Sequence, residues 1–166
     1  MKHIVELVER LDSEVADLDA EAARILRETG ADVLESIPGI GPVNAAVIAA
    51  EVGDPGRFAD AKKLIAFAGI DASKVQSGGF EGAEARMSKR GSPRLRHALM
   101  MAADAARRFD PYFGDYYDSM RARGKHHYVA LSGVARKLAG VMLAVWKEGR
   151  PYERRPSVQS AQGQTG

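Results

Sequence analysis

Ser77 stands in the run VQSGGFEGAEARMSKRGSPRLR (residues 75–96), directly before two glycines and upstream of a basic cluster. A serine hydroxyl can attack phosphorus and hold a phosphodiester as a covalent intermediate. It needs a base, a metal or an electropositive site to do so. Cations are close in sequence: Arg86, Lys89, Arg90, Arg94 and Arg96 fall within eleven positions. Arginine holds phosphate oxygens bidentately and lysine acts as a point charge. Arg94 and Arg96 open a helix, where positive charge opposes the helix dipole. Accepting that penalty fits a phosphate ligand. Other partners for the serine are lacking. No GxSxG elbow surrounds it, and His97 lies on a helix 20 residues downstream. His126 and His127 are adjacent, so their rings point apart and make a poor metal pair. From spacing alone Ser77 reads as a turn residue. Ser88 is no better placed, and Ser92 reads as a helix cap.

A second candidate lies in LESIPGIGPVNAAVIAAEVG (residues 34–53). Apolar residues lead into Gly39-Ile40-Gly41, and a helix rich in small residues follows. This is a helix-hairpin-helix pattern. Gly39 and Gly41 permit a tight turn and close backbone approach to a DNA phosphate. Amides at the start of the second helix would bind that phosphate, and Ile40 would plug the hairpin core. Such binding reads backbone rather than sequence. The plainer alternative is an ordinary helical hairpin with a glycine turn.

These residues must be positioned by helices. Residues 2–28 carry a heptad seam, Ile4, Val8, Leu11, Val15, Leu18, Ala22 and Ile25, stepping by four and three. This coiled-coil-like helix would pair with a second copy or pack on its own domain, and Gly30 would stop it. Glu6, Glu9, Asp12, Glu14 and Asp17 read as its solvated face. Residues 54–68 form a turn and a short helix capped by Asp60. Residues 70–91 form a glycine-rich loop or short hairpin. Ser92-Pro93 and Asp110-Pro111 each pair a cap with a proline at the first helical position, opening helices to about Phe109 and Arg123. A last helix runs from about His127 to Glu148. The fold class is therefore mainly α, ending in a three-helix bundle. Met100, Met101, Ala102 and Ala105, like Val134, Leu138, Val141, Met142 and Val145, are expected to pack inside. Trp146 reads as a packed anchor. The expected organisation is a linker helix (1–30), a domain (31–152) and a disordered tail (153–166).

Composition narrows the functions. The chain has 166 residues and no cysteine, which excludes disulfide frameworks, thiol catalysis and CxxC zinc sites. That fits a reducing cytoplasm, and the acid-rich start is unlike a secretory leader. The longest apolar runs, such as VMLAVW, read as too short for a bilayer. A net charge of +2 hides an asymmetry: residues 1–30 and 31–85 each carry 4 basic and 8 acidic side chains, whereas residues 86–155 carry 16 and 6. The basic half suits a polyanion. It also suits a solvated basic surface. Arg121, Arg123, Lys125, Arg136 and Lys137 would extend the patch if the helices fold back together.

The order of motifs adds what no single motif gives. PGIGPVNAAVIAAEVGDPGRFADAKKLIAFAGI, then QSGG, then SKRGSPRLRHALMMAA, then DPYFGDYYDSMRARGKHHYVALSGVARKLAGVMLAVWKEGRPY resembles the C-terminal transposase domain of the bacterial insertion-sequence DEDD transposases related to the Piv DNA invertase. The resemblance covers residues 34 to 152 and implies a function in DNA transposition. It implies that Ser77, the serine of QSGG, is the nucleophile for DNA phosphodiester exchange, with Lys89, Arg90, Arg94 and Arg96 on the phosphate. It implies DNA as partner, a guide RNA as a further one, and assembly of copies through the N-terminal helix. Family members carry four magnesium-binding acids in an N-terminal RuvC-like domain. Only about 33 residues precede the hairpin here, so no metal ligand or cofactor is expected in this chain, and magnesium is expected in the missing half. The chain alone is expected to bind nucleic acid without recombining it.

Overall fold

A computed structural model describes residues 2–70, 72–73, 86–87 and 91–155 of the chain. Helix α1, Lys2–Glu28, takes the predicted bounds. Its seam residues from Ile4 to Leu18 are exposed, Leu18 by 70%. Only its C-terminal end meets the body. There Leu26, one position beyond the heptad seam, is buried, and α1 packs on α2 and on the turn before it. The acids of α1 are solvated, and Glu14 accepts from Arg10 at 2.9 Å, one turn away.

The next arm is shorter than a full α-helix. Residues Ala31–Ser36 form a 3-10 helix. It lies between Gly30, in the left-handed region, and Pro38. Helix α2 is Pro42–Val52 and α3 is Ala61–Ala68, the latter capped by Asp60, which accepts from Lys63 N at 3.0 Å. Two-residue strands β1, Ala72–Ser73, and β2, Arg86–Met87, pair antiparallel, with Ala72 opposite Met87.

Helices α4 (Pro93–Phe109), α5 (Pro111–Ala122) and α6 (His127–Glu148) follow and pack on one another, with α2 against α4 and α3 against α6. The serine and aspartate caps act as expected: Ser92 Oγ accepts from Leu95 N at 3.1 Å, and Asp110 from Tyr112 N at 2.9 Å. Val134, Leu138, Val141, Met142, Val145 and Trp146 are buried. Met101 is not. It is 53% exposed, because it lies about 100° around α4 from the buried Ala102 face. By length and composition α6 could cross a bilayer, which its short apolar runs did not suggest. Most of it is instead enclosed by the other helices, as the core helix of the body.

The segment after α6 returns over the body. Tyr152 N donates to Ser36 Oγ at 2.8 Å, and its hydroxyl donates to the buried Asp110 at 3.1 Å. Its ring stacks on Phe113. Burial, then the Asp110 carboxylate beside it, pushes the Tyr152 phenol up to about 12. The expected disordered tail falls largely on residues 156–166, outside the described residues.

Candidate nucleic-acid interface

The PGIG turn is built from the core outward. Ile37 and Ile40 are buried, and Ile40 N donates to Ile37 O at 3.0 Å, closing the turn. The Ile40 side chain lies in the hydrophobic core with Ile37. The two glycines have different surroundings. Gly39 has φ 94°, and a Cβ there would overlap the Ala102 carbonyl and lie 2.6 Å from Ala106 N. Its missing side chain is required by the backbone of α4. Gly41 is extended and exposed, with nothing within 4 Å of a built Cβ. It is the N-cap of α2, and no side chain caps that end. Pro42 lacks an N–H, so the open donors of the first turn come from the residues after it. Open space, free amides and the positive end of a helix dipole meet at Gly41.

The start of α4 docks on the end of α2. Glu51 accepts from Ser92 Oγ at 2.7 Å and lies 3.6 Å from Arg94 Nη1. The Arg94 side chain is 83% exposed, so this pair is weak and leaves the guanidinium available to solvent. Arg96 is half-buried and donates to Ala68 O at 3.2 Å. Arg136, from α6, donates to Ile70 O at 3.4 Å. These two arginines hold the exit of α3. Ser92 N also bonds Phe67 O at 2.8 Å, and a Cβ on Gly91 would overlap that same carbonyl. Ile70 and Gly91 therefore lie beside one small area at the end of α3.

The expected basic patch divides. Arg94 is exposed at the front of α4, and Arg121, Arg123 and Lys125 are exposed at the α5–α6 corner. Arg96, Arg136 and Lys137 have internal tasks. Lys137 lies 3.9 Å from the Tyr112 ring centroid and 4.6 Å from that of Tyr116. Burial would raise the Tyr112 phenol, but Lys137 and Arg155 leave it below its ordinary value. Ser77, Lys89 and Arg90 lie outside the described residues. The described residues contain no group of three His, Asp or Glu able to hold a metal ion.

Sequence reasoning missed Glu51 as the joint between α2 and α4, and the clasp of Tyr152 on Asp110. The only signal for the clasp was an aromatic residue directly before the tail. It also missed the bond between Tyr117 Oη and His127 Nδ1, at 2.7 Å.

The sequence of this body matches a set of known proteins. The family model described as "Transposase IS116/IS110/IS902 family" matches residues 31–118, from the 3-10 helix into α5. The chain belongs to this transposase family. An uncharacterized 43.6 kDa protein of insertion element IS110 from Streptomyces coelicolor is 38% identical over 124 residues, covering 74% of this chain and 30% of that protein. An uncharacterized 42 kDa protein of insertion element IS900 from Mycobacterium paratuberculosis is 33% identical over 144 residues, 86% of this chain and 36% of that protein. A pilin gene-inverting protein of Moraxella bovis is 31% identical over 127 residues, 75% of this chain and 39% of that protein. The chain thus spans about a third of the length of these relatives.

Proposed function

We propose that this chain is the DNA-gripping, serine-bearing part of an insertion-sequence recombinase, active in phosphodiester exchange only within a complete enzyme. The observation that carries the grip is the start of α2, uncapped and open in front of Gly41. A duplex phosphate there would receive backbone N–H groups and the positive end of the helix dipole, as in a helix-hairpin-helix contact. Arg94, exposed on the helix that docks on α2, adds a bidentate donor.

In the exchange, Ser77 Oγ would attack a backbone phosphorus. The Oγ–P bond forms as the P–O3′ bond breaks. The serine proton passes to a base, and the departing 3′ oxygen takes up a proton. Attack by a second strand's 3′ hydroxyl reverses these steps, joins the new strands and restores the serine. Lys89, Arg90 and Arg94 would offset charge on the five-coordinate phosphorus. Arg96 would help indirectly, since it already holds Ala68 O. Magnesium would be held by the RuvC-like part of the complete enzyme, as the family resemblance implies. DNA is the main partner, with a guide RNA as a further one. The exposed seam of α1 joins copies of the chain, and the compartment is the cytoplasm.

Two experiments test this. Gly41→Asp places an N-capping carboxylate over the amides, so it should preserve folding and sharply weaken duplex binding. Unchanged duplex affinity, or affinity insensitive to salt, would overturn the grip. In a complete recombinase Ser77→Ala should abolish exchange and spare DNA binding. If exchange persists, the serine is not the nucleophile. The second reading, a non-catalytic nucleic-acid-binding and dimerisation module, is favoured by the bare apolar seam of α1. It predicts self-association and DNA binding with no role for Ser77.

A further inference from the structure

The corner between α5 and α6 carries a surface that the DNA grip at α2 does not use. Arg121, Arg123 and Lys125 are exposed there, and none of them has a salt bridge among the described residues. The corner is held in shape by its own backbone. Gly124 N bonds Arg121 O at 2.9 Å, Lys125 N bonds Met120 O at 3.1 Å, and Arg121 Nη1 reaches Lys125 O at 2.7 Å. The nearest acid in sequence that is exposed is Asp118, one turn back on α5.

Three aromatic rings follow the cations. His127 turns inward, held by Tyr117 Oη at 2.7 Å. His126 and Tyr128 therefore face out. Their rings stack with an interplanar angle of 25° and centroids 5.8 Å apart. His126 Nδ1 also accepts from Tyr128 N at 3.3 Å, which fixes the imidazole at the helix cap. Tyr128 remains 66% exposed. The other tyrosines of the body are covered: Tyr112 and Tyr116 by Lys137, Tyr117 by Arg107, and Tyr152 by Phe113. Tyr128 has no cation over its ring among the described residues, and one face is already backed by His126.

We infer that the Arg121–Tyr128 corner binds an unpaired nucleic-acid strand, stacking one base on Tyr128 while Arg121, Arg123 and Lys125 meet its phosphates. An exposed, backed aromatic ring offers a π-face that a paired duplex base cannot reach, and flanking cations track the backbone. Charge and ring together favour this occupant over a protein segment, because the corner has only Val129 as an exposed large apolar neighbour. The inference rests on the proposed function only for the class of partner. It concerns a different surface and a different form of nucleic acid.

The test measures binding of the whole chain to fluorescein-labelled oligo(dT) and oligo(U) 20-mers and, separately, to a duplex. Tyr128→Ala should weaken single-strand binding about ten-fold or more. Tyr128→Phe should stay within about two-fold, since it keeps the π-face. Neutralising Lys125 and Arg123 together should flatten the salt dependence of single-strand binding, by about 0.7 for each phosphate that is no longer neutralised. Preference for oligo(dT) or oligo(U) identifies the strand as DNA or RNA, and either supports the inference. No single-strand binding overturns it. So does an Ala variant equal to the parent, or a Phe variant as weak as the Ala variant. Gly41→Asp separates the two surfaces. If it leaves duplex binding intact while Tyr128→Ala still lowers single-strand binding, the DNA grip fails and the corner stands.

Discussion

Helices α1 and α6 are both long and both carry apolar residues at helical spacing, yet they end in opposite environments. From Leu131 to Trp146 most of α6 is buried, including polar Ser132 and Gly133. Leu26 is the one buried residue of α1. The pattern of spacing does not decide this difference. Width does. The apolar positions of α6 surround the helix on several sides, so that α3, α4 and α5 can each cover one. Those of α1 form a narrow stripe bordered by acids and arginines, which suits one partner helix. A broad apolar surface builds a body, and a narrow one leaves an arm.

The largest effect should come from the body. Leu138→Ala removes a fully buried side chain of α6 and should lower stability by about 2–5 kcal/mol in denaturant unfolding. Gly39→Ala forces a methyl into the α4 backbone at a positive φ. It should cost about 3 kcal/mol, whereas Gly41→Ala should change unfolding by less than about 0.5 kcal/mol. Equal effects at the two glycines would mean that Gly39 does not key the turn to α4. Ser92→Ala breaks the α4 cap and leaves Glu51 without its hydroxyl donor, for about 1 kcal/mol.

A smaller effect should appear in alkali. The Tyr152 phenol ionises near 10 when exposed and at about 12 in the folded protein. The folded state therefore holds a proton that the unfolded state has lost, and stability falls as pH rises through this interval. Tyr152→Phe should remove that part of the fall, which pH-dependent melting would show. The least effect on folding should come from the arm. Leu11→Asp should shift unfolding by no more than about 0.5 kcal/mol, but it should reduce self-association measured by sedimentation. A large loss of stability there would break the contrast between arm and body.

Much of the architecture is legible in the residues themselves. The caps Asp60, Ser92 and Asp110, and the prolines after the last two, mark helix starts through local chemistry, and local chemistry is visible in a sequence. The heptad seam of α1 was also plain, but its environment was not, because periodicity records a face without recording what covers it. Gly39 and Gly41 looked alike for a similar reason. Both relax the backbone, but only the approach of α4, some sixty residues later, gives them different tasks. Arg96 and Arg136 were legible as cations. That they hold two carbonyls at the exit of α3 depends on packing between distant helices. The candidate nucleophile owes its assignment to motif order alone, since neither its spacing nor its neighbours single it out.

The bare stretch of α1 has a consequence for distance. Residues 2–21 are exposed throughout, and a helix of that length extends about 30 Å. Anything that clasps its far end is kept that far from the body and, because the helix is stiff, in a fixed direction. The arm thus acts as a ruler, setting the distance between the body and whatever holds its far end.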